Sequence, residues 1–424
     1  MAAAFSAAAI VCTLSNALSQ PSCLAADGCC DPFGDQAELS VDQLVAEVQM
    51  RNPSLQAASE AWRAAAQRYP QVVSLEDPMF GFMIGPRGVG PEGGWMVEAS
   101  QKIPAAGKRA FRGSMAQAEA EAANGEIGDV RLMLAEAAKM AFFDYYLARR
   151  QLEVNANTKE ILGRFRDIAK TKYEANQATQ QDILQAEVEL VDLEARRAGF
   201  ARDENIAVAR INTLLHRAAD HPLPPPPATV SAPVALPSPE ALQRAAVQSR
   251  PDLYSQAARI RAQEAAVALA QKEYDPDVEI VGKYDAFMPE DMRPQVGMRL
   301  NVPLQRQRRW AAVKEAQSRL CQQRAEYQSR LDRVRFEVQS AFERAAEAQK
   351  VAHLYTSRIL PVTDQNLQSA QANYVAGKTD FLRLIDAQRQ VNAQRERYYQ
   401  AIADYNRRLA ELERAAGGPF DRSL

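Results

Sequence analysis

The chain has 424 residues, with 51 basic and 53 acidic side chains and a formal net charge of -2. A mean hydropathy of -0.36 and 7% aromatics exclude a polytopic helical membrane protein, while 47% apolar residues suffice for a folded core. The near-neutral balance argues against nucleic acid as a partner, and three His with five Cys leave little material for a metal centre.

Residues 1–30 stand apart. Met1 to Leu18 carries no charge and contains the run Ala7-Ala-Ala-Ile-Val-Cys-Thr-Leu14, too short for a membrane anchor and like a secretory leader. Ala17-Leu-Ser19 and Cys23-Leu-Ala25 offer small residues for cleavage, although no Lys or Arg lies near the start. Cys12, Cys23, Cys29 and Cys30 fall here, and Cys321 sits alone in a helical stretch, where it reads as a buried thiol. Acylation of Cys23 or Cys29 is the sharper alternative, but neither follows the small apolar residues that lipid attachment needs.

From residue 31 the chain is one unit written twice. Ser40-Val-Asp-Gln-Leu44 aligns with Ser238-Pro-Glu-Ala-Leu242 at a spacing of 198, which also pairs Pro53 with Pro251 and Asp77-Pro78 with Asp275-Pro276. Pro104 pairs with Pro303 at 199, Ala141-Phe142 with Ala341-Phe342 at 200, and Tyr173 with Tyr374 at 201. The units are predicted at 31–219 and 238–416, joined by the proline-rich linker 220–237 and followed by a tail, 417–424.

Each unit opens on a helix, with a capping-box pattern at Ser40 and Gln43 and with Pro239 after Ser238. A hairpin follows, at about 78–104 and 276–303, where the period changes to two. Trp95, Val97, Ala99 and Ile103 oppose Glu98, Ser100 and Lys102; Val296, Met298, Leu300 and Val302 oppose Gly297, Arg299 and Asn301. Val278, Ile280 and Tyr284 likewise oppose Glu279 and Lys283, with Val281 as an exception. Long helical hairpins come next, at about 108–216 and 305–415. Apolar residues recur every seven at Met133, Met140, Leu147, Val154, Ile161 and Ile168. The second unit shows three-four spacing from Leu331, Val334 and Val338 through Ala352 to Tyr355, Ile359 and Val362. Pro361 is predicted to kink the second rod, and the rods to end in polar turns at Glu174–Gln177 and Val375–Lys378. The return helix carries a seam of Leu384, Val391, Tyr398, Tyr405 and Leu412.

Two-faced strands of this length suit a membrane β-barrel, and unpaired strands cannot cross lipid, so the sheet must close. Four strands enclose no useful lumen, whereas three copies supply twelve, with Glu98, Lys102, Glu279, Lys283 and Arg299 lining water. The expected fold is mainly α, a long coiled-coil helical barrel plus hairpins giving four strands per protomer to a trimeric 12-stranded barrel.

The order of motifs resembles the TolC family of outer-membrane efflux channels. Asn52-Pro-Ser-Leu55 and Arg250-Pro-Asp-Leu253 carry the resemblance, with Ile359-Leu-Pro361, Tyr374-Val-Ala-Gly377 and Asp380-Phe-Leu-Arg-Leu-Ile-Asp-Ala387. The first unit has the weaker Tyr173-Glu-Ala-Asn176 and Asp182-Ile-Leu-Gln-Ala186. The resemblance implies a homotrimer in the outer membrane, its tube in the periplasm, opened by a periplasmic adaptor protein and an inner-membrane pump. It performs no chemistry and needs no cofactor. Asn176, Gln177, Gly377, Lys378 and Thr379 are the implied docking tips, and Asp182, Arg383 and Asp386 the implied constriction. Arg383 stands where some members carry a second aspartate, and Thr379 where an arginine elsewhere bridges to the counterpart of Asp182, a lock that Lys378 could replace. A protein-secretion duct and a periplasmic coiled-coil scaffold are the competing readings, and the residues name no substrate.

Overall fold

The computed structural model describes residues 33–34, 37–85, 94–230 and 236–420. The leader, with Cys23 and Cys29, lies outside them. In chain order the first unit contains α1 (Val41–Arg51), α2 (Pro53–Ala66), α3 (Arg68–Val73), β1 (Met79–Ile84), β2 (Trp95–Ile103), α4 (Lys108–Glu174) and α5 (Gln180–Leu214). The second contains α6 (Pro239–Ser249), α7 (Pro251–Lys272), β3 (Val278–Asp285), β4 (Pro294–Leu300), α8 (Arg306–Leu354), α9 (Leu360–Val375) and α10 (Phe381–Ala415). The fold class is the expected one. No described helix is long and apolar enough to cross a membrane.

Proline at the first helical position starts α2, α6 and α7, because the missing N–H is one that no helix would use there. Asn52 caps α2 through Ser54 N–H, and Ser238 caps α6 through Ala241 N–H. The capping box expected at Ser40 does not form: its side chain makes no cap bond. Asn52 also donates to the Leu214 carbonyl at 2.9 Å, while Ser249 Oγ donates to Ala416 O at 2.9 Å and Arg250 to Ala415 O at 3.3 Å. The α5 end is thus tied to the α2 start and the α10 end to the α7 start, twice by the residues around the Asn-Pro and Arg-Pro motifs. Bonds of this kind satisfy carbonyls that a helix end leaves free.

The 67 residues of α4 run unbroken, a rod of about 100 Å at 1.5 Å per residue. Its partner rod is interrupted at Tyr355–Ile359 by a π-turn, directly before Pro361. The spacing between the units rises from 200 at Ala141/Ala341 to 201 at Tyr173/Tyr374, so the second rod holds one residue more than the first. A turn closed from i to i+5 takes up that extra residue. The seams move accordingly. Val334, Val338, Ala341, Ala345, Ala348 and Ala352 are buried as predicted, but Val362, beyond the π-turn, is exposed. On α4 the buried line is Leu134, Ala138, Ala141, Tyr145, Ala148, Leu162, Phe165 and Ala169, shared with the predicted series only at Val154. Met133 is exposed, and the rest of that series is half-buried on a flank. A seven-residue repeat marks a stripe, and where α4 packs on α5, α7 and α10 the centre of the face falls between stripes.

All four long-helix hairpin ends leave through left-handed backbone: Asn176, His216, Gly377 and Gly417. Their N–H groups and those of the next residues return to the last helical turn, for example Gln177 to Lys172 O and Lys378 to Asn373 O, both at 2.8 Å. Asn176 pairs with Gly377 and His216 with Gly417, each at a spacing of 201. The Arg109 guanidinium donates to Val73 O and that of Arg309 to Glu273 O, each at 2.7 Å, repeating one clamp where strand becomes helix. Lys108, 2% exposed, adds a bond of 2.9 Å across to Asp277 of the second unit. Cys321 is exposed, correcting the expectation of a buried thiol.

The elements form rows, not a closed core. Below, α5 packs on α4, α4 on α10 and α10 on α8 and α9; above, α2 and α3 pack on α4, α4 on α7 and α7 on α8. Close approach of α4 and α7 depends on Gly125, beside which Ser255 Oγ donates to Ala122 O at 2.8 Å. A methyl at Gly125 would overlap Ser255 Oγ and stand 2.9 Å from the Pro251 carbonyl. Alanine gains about 1 kcal/mol of helix propensity, but overpacking costs about 1–3 kcal/mol and a backbone carbonyl cannot step aside. Gly125→Ala is therefore expected to lower the melting temperature in detergent, read by circular dichroism. Deleting Ser357 is expected to leave assembly intact, because the π-turn reverts to an α-turn. Deleting Asn157 from the uninterrupted α4 rotates everything beyond it by about 100° and is expected to lower the melting temperature sharply, where deleting Ser357 does not.

Candidate functional site

Four strands form one antiparallel sheet in the order β1-β2-β3-β4. The two hairpins meet at β2 and β3, pairing Glu98 with Lys283, Ser100 with Val281 and Lys102 with Glu279. Register puts Phe80, Phe82, Ile84, Trp95, Val97, Ile103, Val278, Ile280, Tyr284, Val296, Met298 and Leu300 on one face. Most of these are exposed, Val296 by 87%. Trp95 and Tyr284 stack at 5.2 Å at the end away from the helices. Gln101 is the polar intruder on this face, and its amide donates to Glu76 O at 2.7 Å.

The opposite face gathers all five expected lining residues. Arg299 on β4 reaches Glu98 on β2 at 2.7 Å and Glu279 on β3 at 3.6 Å, and Lys102 reaches Glu76 at 3.7 Å. Lys283 lies 3.8 Å from Asp285. Val281 points to this face and is buried among these side chains. Both outer strands, β1 and β4, have one unpaired edge.

At the far end of the rods the two hairpin tips are joined within the chain. Lys172 Nζ donates to Tyr374 O at 2.6 Å and sits 4.3 Å from the centre of the Tyr374 ring. Asp182 accepts from Thr179 Oγ1 at 3.0 Å. The cross-tip link therefore uses Lys172, which sequence reasoning did not single out; Lys378 and Gln177 are exposed. Burial, and then the Asp182 carboxylate, push the Tyr374 phenol up to about 12. Tyr374 Oη and Thr379 Oγ1 are buried and find no hydrogen-bond partner among the described residues.

Arg383 and Asp386 are both exposed on α10. Asp386 pairs with Arg389 at 3.1 Å, and Arg389 also binds Glu189 of α5. Arg389 was missed from sequence, although its place three residues after Asp386 on one helix face was the available signal. No ion pair joins Asp182 to Arg383 among the described residues: Asp182 bonds within its own tip turn, and Arg389 links Asp386 to Glu189. No group of His, Cys, Asp and Glu among the described residues could hold a metal ion.

Ion pairs also hold the start of α7 to α8. Arg250 forks onto Asp252 at 2.8 Å and onto Glu337 at 2.6 Å, and Arg330 reaches Asp252 at 3.1 Å. Burial alone would raise the Asp252 carboxyl, but these two guanidinium groups hold it below the usual carboxylate range.

The chain thus combines a sheet with an exposed apolar face and paired rows of long rods. The family model for outer membrane efflux protein matches residues 242–418. The outer-membrane channel OprN is 19% identical, with a TM-score of 0.75 over 92% of this chain and 95% of that one. CusC is 17% identical, with a TM-score of 0.76 over 91% and 93%. The open state of the Neisseria gonorrhoeae MtrE outer membrane channel is 17% identical, with a TM-score of 0.73 over 92% and 96%. No curated protein matches the chain. The family match lies within the second unit, and the whole chain shares the fold of these channels.

Two outcomes are expected. Asp386→Ala removes one negative charge and leaves Arg389 with Glu189 as its acidic partner, so single-channel records in planar bilayers should shift toward anion preference; an unchanged reversal potential would remove Asp386 from the narrow part of the bore. The depressed Asp252 carboxyl contributes stability above its unfolded value near about 3.9 that is lost as pH falls through its folded value. Asp252→Asn should therefore lower the melting temperature clearly at neutral pH and much less in acid.

Proposed function

We propose that three copies of this chain form an outer-membrane exit duct of a tripartite efflux system. The observation that carries the reading is an open four-stranded sheet whose exposed face is apolar, whose other face is charged, and whose two edges lack partners. Lipid offers no hydrogen bonds, so β1 of one copy must pair with β4 of the next until the ring closes. Head-to-tail contact closes into a ring when the rotation permits, and twelve strands leave room for water. The helical rows carry matching free edges, with Leu184, Val188 and Val191 exposed on α5. The partnerless Tyr374 and Thr379 hydroxyls at the tips are groups that a neighbouring copy can satisfy. Exposed apolar strands on this scale also disfavour a periplasmic scaffold.

Within the duct the sheet's charged face lines the upper bore. The ion pairs around Arg299 cancel most of its field, so passage depends on width more than on charge. The tips at Asn176–Thr179 and Gly377–Asp380 are where a periplasmic adaptor docks, and loosening of the Lys172–Tyr374 link accompanies opening. Energy is supplied by the inner-membrane pump. Reconstitution tests this: the full chain should require detergent for extraction, run as a trimer by light scattering, and conduct ions in planar bilayers. A water-soluble monomer without conductance would falsify the duct.

A further inference from the structure

The apolar face of the sheet does not stop where β4 ends. Val302 and Leu304 continue its alternation toward the helices, and Leu304 is 84% exposed. Arg306, Trp310 and Lys314 then follow at intervals of four, one stripe along the first turns of α8. Trp310 is 62% exposed, and Lys314 Nζ lies 5.8 Å from its ring centre. Neither Arg306 nor Lys314 has an acidic partner among the described residues. From Arg293 to Lys314 the sequence contains no acidic residue. The basic residues there that have partners, Arg293, Arg299 and Arg309, point elsewhere, to Glu290, to Glu98 and to Glu273 O.

The duplicated plan does not require this stripe. At the spacing of 200 that relates Arg109 to Arg309, the first unit has Ala106, Ala110 and Ser114. Folding of the unit is thus possible without it, and its cost, an exposed indole beside two free cations, is met only in the second unit.

We propose that Leu304, Arg306, Trp310 and Lys314 form a docking surface for anionic glycerophospholipid in the periplasmic leaflet of the membrane. Leu304 enters the acyl region, Trp310 lies at the boundary where an amphipathic ring is favoured, and Arg306 and Lys314 bind the phosphate and its negative headgroup. Continuity with the lipid-facing sheet places the surface at the membrane edge, and its charge selects an anionic occupant over a zwitterionic one. This inference rests on the membrane-barrel reading above.

The test uses the full chain reconstituted into vesicles, with two single-tryptophan forms. Trp62→Phe with Trp310→Phe leaves Trp95 on the sheet; Trp62→Phe with Trp95→Phe leaves Trp310. Vesicles contain either phosphatidylcholine brominated near the headgroup end of its chains or the equivalent phosphatidylglycerol in unbrominated phosphatidylcholine. Trp95 should be quenched by both lipids. Trp310 should be quenched with at least about threefold stronger apparent association for phosphatidylglycerol, a preference weakened by salt. Adding Arg306→Gln and Lys314→Gln should bring the two lipids to parity while leaving Trp95 quenching unchanged. Quenching of Trp95 without Trp310, or equal quenching of Trp310 by both lipids, overturns the proposal and leaves the barrel standing. Loss of quenching at both positions overturns the barrel reading as well.

Discussion

Unsatisfied backbone at the ends of an open row is the constraint from which the rest of this architecture follows. β1 and β4 each present a line of N–H and C=O groups along one edge, on a sheet with an apolar outer face. In water such edges invite aggregation; in lipid they are prohibitive, because each unpaired group costs several kcal/mol and none can be hydrated. In the proposed duct, closure through identical copies resolves this without any dedicated interface residue. The helical rows inherit the same geometry, since each strand pair feeds directly into rods whose first and last members also lack a neighbour.

Duplication makes the rows regular, and the departures from it mark where the two halves have separate tasks. The Arg109 and Arg309 clamps and the four left-handed exits hold the shared frame. Lys108 and its buried bond to Asp277 exist once, and so fix one strand-to-helix joint more firmly than the other. Removing one member of a buried pair commonly costs about 3–5 kcal/mol, so this bond ties the start of α4 firmly to the start of β3. The π-turn before Pro361 is also unique to the second rod. It lets a longer rod keep pace with α4 while its face turns, which changes the side that α9 offers to its neighbours.

Charge is arranged by the same logic of pairing across elements. On the sheet, Arg299 spans two strands to reach Glu98 and Glu279; at the rod ends, Arg389 spans two helices to reach Asp386 and Glu189. In each cluster one guanidinium is shared by two carboxylates, so most of the charge is compensated locally.

Much of this was written in one dimension. The duplication, the strand alternation, the turn-forming Asn176 and Gly377, and the Ala-rich seam from Val338 to Ala352 all depend on local spacing and backbone preference, which a chain carries in its order of residues. What the sequence could not place is whatever depends on elements far apart in it. The pairing of β2 with β3, the choice of Lys172 for the Tyr374 link, the recruitment of Arg389, and the true centre of the α4 face were decided by packing. A helix with several neighbours buries the stripe that fits them jointly, and an ion pair goes to the charge that folding brings within reach. Periodicity determined which faces exist, and only the tertiary structure decided which face meets which.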